Sequence, residues 1–205
     1  MQQTDVSDEH NGTMVWDFPL RVFHWALAAG FVTAYWSAKY HHGEIHALIG
    51  YVLCILLLAR LAWGFHGSRY SRFDSFIFSH QETIQYLRGV LDGKPRHYLG
   101  HNPAGALMVF AMLALFVLIL STGLATLSLI DFEGPLLLFS HADDQTSYAI
   151  RHLHAYLINI ALMLVALHLL GVITGSIQHR ENLVRAMVTG RKANHMHTGT
   201  EKIQK

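Results

Sequence analysis

Four stretches of the chain are almost purely apolar. Residues 104–130 contain no charged side chain, and 155–177 contain none either, with Asn159 and His168 the most polar positions there. Residues 45–65 are apolar except for Arg60, and 18–38 except for Arg21 and His24. About 20 apolar residues in a helix cross the hydrocarbon core of a bilayer. The pattern therefore predicts four transmembrane helices, over about 18–38, 45–65, 104–130 and 152–177. A soluble bundle would show a polar stripe at helical spacing, and 104–130 shows none. The fold class expected is all-α: an integral membrane bundle of four transmembrane helices. Its membrane domain covers 15–193, between a polar tail at 1–14 and a tail at 194–205 expected to be disordered.

The polar segments set the orientation. The connection between the second and third spans carries Arg69, Arg72, Arg88, Lys94 and Arg96, and the C-terminal segment carries Arg180, Arg185, Arg191, Lys192, Lys202 and Lys205. The other two connections hold only Lys39 and, at a helix start, Arg151. Positive charge stays inside, so both termini are expected in the cytoplasm. The acidic residues Asp131, Glu133, Asp143 and Asp144 then face outward, in what is either a docking face or a solvated loop. The N-terminus is polar and unlike a cleavable signal peptide. Ser79 and Glu82 have capping-box spacing. Ile84, Leu87 and Leu91 follow at helical spacing, and Gly93-Lys94-Pro95 ends the pattern, so a short amphipathic helix is expected on the inner membrane surface. Gly134-Pro135 breaks the outer connection, and 136–139 is expected to dip into the interface.

Composition narrows the class. Of 205 residues, 52% are hydrophobic and 14% charged, with a net charge of +1. Disordered and nucleic-acid-binding chains need far more charge than this. The single cysteine, Cys54, lies within an apolar run. It permits no disulfide, c-type haem attachment or iron–sulfur set within the chain, and packing is the expected role. The unusual feature is histidine: there are 16, against 15 Lys plus Arg.

Depth sorts these histidines. His10, His80, His97, His141, His179, His195 and His197 fall in loops or tails and need no special role. His24, His46, His154 and His168 fall within the spans or near their ends, where an ionisable side chain is expensive and usually functional. His154 and His168 are fourteen residues apart, close to four helical turns, so both rings leave nearly the same face about 21 Å apart along the axis. His152 lies roughly 160° around the helix from His168 and points elsewhere. By depth, His24 matches His168 near the inner surface, and His46 matches His154 near the outer surface. Facing imidazoles in a bundle interior suit an iron porphyrin. Zinc would want four close ligands, and carboxylates are missing from the spans. Gly50, Gly171 and Gly30 are small enough to admit a macrocycle, and equally suited to close helix packing.

The residues also resemble a known family. Val15-Trp16-Asp17-Phe18-Pro19-Leu20-Arg21-Val22-Phe23-His24-Trp25 is similar to the first-helix signature of the bacterial cytochrome b561 superfamily, which includes the b-type subunits of respiratory nickel–iron hydrogenases. His46-Ala47-Leu48-Ile49-Gly50-Tyr51 resembles its second-helix ligand segment, and Gly100-His101-Asn102-Pro103-Ala104-Gly105-Ala106 the start of its third helix. Glu181-Asn182-Leu183-Val184-Arg185-Ala186-Met187 and Gly190-Arg191-Lys192 resemble its C-terminal segment. The match covers about residues 14–193. It implies a four-helix bundle with two b haems and bis-histidine ligation by helices one, two and four, so that His24, His168, His46 and His154 are the iron ligands.

Other residues carry open readings. Arg21 and Arg60 lie near the inner haem level and could pair with propionates; Arg60 could instead snorkel to headgroups. His101 could line a quinone pocket, bind a propionate or sit in the interface. Asp17 joins His101 and Arg60 as a candidate quinone-pocket residue.

With both axial positions filled, electron transfer is favoured over oxygen activation. The function expected is electron transfer across the bacterial inner membrane between a periplasmic redox protein, hydrogenase-like or a multihaem cytochrome c, and the membrane quinone pool. A stand-alone superoxide:quinone oxidoreductase is the alternative, and the acidic outer connection argues against an anionic substrate. A metal or proton transporter would place acidic residues in the spans, and there are none. No nucleic-acid partner is expected.

Overall fold

A computed structural model describes residues 13–93, 98, 100–136 and 142–192. Four long helices dominate it: α1 (Phe18–Lys39), α2 (Gly43–His66), α4 (Pro103–Ile130) and α5 (Asp144–His179). Two short helices, α3 (His80–Leu91) and α6 (Leu183–Thr189), lie at one end, with a 3-10 turn at Phe73–Phe76. That end gathers most of the lysines and arginines and is called the basic end. The opposite end, where α1 turns into α2 and α4 into α5, carries Glu44, Asp131, Glu133, Asp143 and Asp144 and is called the acidic end.

Local chemistry fixes the helix starts. Asp17 caps α1, its Oδ1 accepting the Leu20 N–H at 2.9 Å, and Pro19 follows in the first turn. Asn102 caps α4 in the same way at 2.7 Å, ahead of Pro103. Each cap satisfies an amide that the helix leaves unbonded, and proline in the first turn sacrifices no helical bond. Ser79 caps α3 through the Glu82 N–H at 3.2 Å, as the capping-box spacing predicts. Asp143 caps α5 through the Thr146 N–H at 2.6 Å. The α5 helix therefore begins about two turns ahead of the span predicted from 152, and its 36 residues extend about 54 Å.

The α1 helix packs on α2, α2 on α4 and α4 on α5, whereas α1 and α5 make little backbone contact. Phe31 of α1 bridges that opening at mid-height. It packs against Leu115, Ile119, Leu157 and Ala161 on one side and Leu57, Leu113 and Phe116 on the other. The outer surfaces of the long helices are as apolar as this core: Leu48, Ile55, Leu58, Leu118, Met163, Leu170 and Ile173 are all exposed. Such a surface suits lipid and not water. Three helices, α2, α4 and α5, are long and apolar enough to cross a membrane. The α1 helix is less apolar than predicted for a span, because Arg21, His24, Tyr35, Trp36 and Lys39 dilute its 22 residues.

At the basic end the chain closes on itself. Thr13–Met14 (β1) pairs antiparallel with Arg191–Lys192 (β2). The end of the expected polar tail is thus part of the folded unit. The Gly190 carbonyl accepts the Val15 and Trp16 N–H groups at 2.8 and 3.0 Å. Arg21 Nη1 donates to the Val188 carbonyl at 2.5 Å, and Trp25 Nε1 to the Met187 carbonyl at 3.4 Å. Val15, Trp16, Leu20 and Ala186 form a small core beneath. This clasp ties the start of α1 to the segment that follows α5. Residues 137–139 of the expected interfacial dip, the Lys94-Pro95 stop, His10, His97, His141, His195, His197 and the tail at 194–205 lie outside the described residues.

Candidate functional site

The fourteen-residue spacing on α5 places His154 toward the acidic end and His168 toward the basic end. Each meets the partner that depth suggests. His46, in the first turn of α2, faces His154 with ring centroids 6.2 Å apart. His24, two turns into α1, faces His168 with centroids 6.3 Å apart. Two imidazoles trans on one metal, each with a bond of about 2.0–2.1 Å, have centroids roughly 6–6.5 Å apart. Both pairs therefore fit a bis-imidazole metal centre. Among the described residues no group of three or more His, Cys, Asp or Glu converges. Two-ligand sites of this kind suit a metal that brings its remaining donors with it, as a porphyrin does.

The acidic-end pair is chemically committed. His46 Nδ1 lies 2.9 Å from the Ala34 carbonyl oxygen, and His154 Nδ1 lies 3.0 Å from that of Ile119. A carbonyl only accepts, so each Nδ1 carries the ring proton and each Nε2 presents a lone pair. Two such nitrogens cannot hydrogen-bond to each other; a Lewis acid between them satisfies both. Thr122 Oγ1 adds a second contact to His154 Nδ1 at 3.2 Å. At the basic end, His24 Nδ1 is buried with no hydrogen-bond partner among the described residues.

The glycines separate by role. A side chain at Gly50 or Gly171 would meet nothing within 4 Å, so both border open space. Gly30 packs against Leu53, which is close packing of α1 on α2. Gly123 borders the His154 ring, where a Cβ would lie 3.1 Å from Cε1. Sequence reasoning missed the 119–123 turn. Its signal was Ser121-Thr122-Gly123, a polar and small-residue break in the most apolar run of the chain.

A buried polar cluster lies beyond the basic-end pair. Arg60 is 3% exposed, with its guanidinium 5.9 Å from the Phe23 ring centroid and 4.9 Å from that of Phe73. It does not snorkel to the surface, and its Nη1 has no partner among the described residues. The His101 ring sits between Trp16 and Phe76, at 4.6 and 4.5 Å, and its Nδ1 is likewise buried without a partner. Burial, with the Arg60 and Lys192 charges nearby, pulls its pKa down to about 3, so the ring is neutral. Asp17 is fully engaged: besides capping α1, its Oδ2 accepts from Ser68 at 2.6 Å, Ser71 at 2.7 Å and Trp63 at 3.0 Å. Burial alone would raise its pKa, but these bonds outweigh it and hold the carboxyl below its ordinary value. Arg21 is held in the clasp through Val188. Cys54 is partly buried and unpaired.

Apolar, membrane-spanning helices with imidazole pairs set at two depths define a membrane cytochrome of the b type. The model of the prokaryotic cytochrome b561 family matches residues 15–190, and the chain belongs to that family. It is similar to proteins named probable Ni/Fe-hydrogenase B-type cytochrome subunit from several bacteria. That of Cupriavidus necator is 28% identical, covering 87% of this chain and 86% of its own length. That of Bradyrhizobium diazoefficiens is 25% identical, covering 87% and 85%. The Escherichia coli Ni/Fe-hydrogenase 1 subunit is 30% identical, covering 62% and 65%. No solved structure shows a significant match. The chain is a multi-pass membrane protein that carries haem b and takes part in electron transfer.

Proposed function

We propose that residues 15–193 form a four-transmembrane-helix bundle with two b haems that carries electrons across the bacterial cytoplasmic membrane, between a periplasmic redox protein and the quinone pool. His24 and His168 would hold one haem at the basic end, and His46 and His154 the other at the acidic end. The observation that carries this reading is the acidic-end pair: two imidazoles with ring centroids 6.2 Å apart, each with its Nδ1 proton given to a backbone carbonyl and its Nε2 left as a lone pair. The fourth span is α1; its 22 residues reach about 33 Å, and its charges, Arg21 and Lys39, sit near its two ends. Positive charge at the basic end supports a cytoplasmic setting for that end and for both termini.

Haem b, when bound, supplies one-electron chemistry at each pair. The chain's own residues fix the spacing, with about 21 Å between the pairs along α5, and exclude water from the region between them with Phe31, Phe116, Leu157 and Ala161. At the basic end, Arg60 Nη1 and His101 Nδ1 are buried with no partner among the described residues, and a quinone carbonyl oxygen suits the arginine donor. Asp17 acts there by holding Trp63, Ser68 and Ser71 in place. The relatives named as hydrogenase subunits favour a hydrogenase-like partner at the acidic end.

Oxidised and reduced absorption spectra of the purified protein, with haem quantitation, test the reading. Two b haems per chain are expected. His46→Ala or His154→Ala should each leave one, and the same one. Absence of b-type bands would overturn the cytochrome reading, and loss of both haems or of neither would overturn the pairing.

A further inference from the structure

The α4 helix supplies no histidine to either pair, yet it makes three contacts with one. The Ile119 carbonyl accepts from His154 Nδ1 at 3.0 Å. Thr122 Oγ1 lies 3.2 Å from the same nitrogen. Gly123 leaves room for the ring, since a Cβ there would come within 3.1 Å of it. The Thr122 hydroxyl proton is already committed to the preceding turn, where Oγ1 lies 2.7 Å from the Leu118 carbonyl and 3.0 Å from that of Ile119. Such back-bonding is the ordinary habit of a helical threonine. What faces His154 is therefore an oxygen lone pair, and the Nδ1–H is shared between two acceptors.

We infer that Thr122 is a positioning residue for His154 and, with the Ile119 carbonyl, makes the acidic-end iron site the lower-potential site of the two. This rests on the reading of His46 and His154 as axial ligands. An N–H drawn toward acceptors makes the other ring nitrogen a stronger donor. A stronger axial donor favours the oxidised, more positive metal and lowers the potential, one of the levers by which a protein tunes haem. Both acidic-end histidines have this support, from Ala34 and from Ile119 with Thr122. His24 has none among the described residues. Fixed charge acts in the same sense. Arg21 lies one turn before His24, and Arg60 lies against the neighbouring Phe23. At the other end the cations Lys39 and Arg151 are outnumbered by Glu44, Asp131, Glu133, Asp143 and Asp144. With a haem bound at each pair, that ordering would favour electron movement from the acidic end toward the basic end.

A redox titration of the purified protein in lipid nanodiscs, followed by absorbance and by low-spin ferric EPR, tests this. His46→Ala identifies the acidic-end signal as the one it removes. In the wild type that signal should titrate at the lower potential. Thr122→Val, which keeps the shape and deletes the acceptor, should shift its midpoint upward and move its g-values. The basic-end signal should not move, and it reports that the protein is folded. Thr122→Ser should restore the wild-type midpoint. An unmoved acidic-end midpoint in Thr122→Val, an equal shift of both signals, or no rescue by serine would overturn the role of Thr122. An acidic-end signal at the higher potential would overturn the ordering. Retention of both haems in His46→Ala would instead overturn the ligand assignment beneath it.

Discussion

The two ends of the bundle hold imidazole pairs at nearly the same separation, 6.3 and 6.2 Å, but secure them differently. At the acidic end orientation is local. Each ring is held by a carbonyl on the helix beside it, Ala34 for His46 and Ile119 for His154. At the basic end the rings have no such anchors among the described residues. There α1 and α5 are fixed relative to each other by the clasp, in which residues 13–25 bond to residues 187–192. One pair depends on hydrogen bonds to its imidazoles, the other on contacts remote from them in sequence. Damage to the clasp should therefore disturb the basic end and spare the acidic end.

The largest effect is expected at the buried ion pair of the clasp. Lys192 Nζ lies 3.8 Å from Glu181 Oε2, with side-chain exposures of 8% and 5%. Removing one partner of a buried pair strands the other charge, at a cost of about 3–5 kcal/mol. On the proposed two-haem reading, Lys192→Met should lower the thermal midpoint for loss of the basic-end haem signal well before the acidic-end signal responds, and adding Glu181→Gln should recover most of that loss. A parallel fall of both signals would show the ends to be one cooperative unit. A smaller effect is expected at Gly190, which has φ +83° and whose added Cβ would lie 2.6 Å from the Trp16 carbonyl oxygen. Gly190→Val combines that clash with backbone strain of about 1–3 kcal/mol. It should reduce basic-end haem content at growth temperature and leave acidic-end content intact, as measured by haem quantitation and EPR.

The same contrast explains what could be read from the chain beforehand. Apolar run length predicts the long helices closely, 45–65 against Gly43–His66 and 104–130 against Pro103–Ile130. Helical spacing alone puts His154 and His168 on one face. The early start of α5 escaped because residues 144–147 and Arg151 are polar, although Asp143 carried the capping signal. The tautomers of the acidic-end rings are invisible in sequence because their partners are backbone carbonyls, which every residue has. The clasp is invisible for another reason: pairing of Thr13 with Lys192 joins chain segments that no local pattern relates. Asp17 shows the limit from the other side. The sequence offers it as a candidate quinone-pocket residue, but gives no sign that its Oδ2 receives three side-chain donors while its Oδ1 caps a helix.

The smallest predicted effect concerns pH and separates the ends once more. His101 belongs to the basic end, packed between Trp16 and Phe76 beneath the clasp. Its pKa is about 3 in the folded protein, against an ordinary value of 6.5, because burial and then the charges of Arg60 and Lys192 oppose protonation. Between these two values the unfolded chain binds a proton at this position that the folded chain does not. Protons therefore favour unfolding, and stability falls as the pH drops from 6.5 toward 3, with a slope of at most about 1.4 kcal/mol per pH unit. Above 6.5 both states are neutral and the contribution is flat. His101→Phe keeps an aromatic ring in the slot and removes the titration. The variant should lose less of its basic-end thermal midpoint than the wild type between pH 6.5 and 5, while the two proteins share one acidic-end profile. Equal pH slopes at the basic end would mean that the ring is protonated or rehydrated without opening the clasp, and that the basic end is less tightly closed than its packing implies.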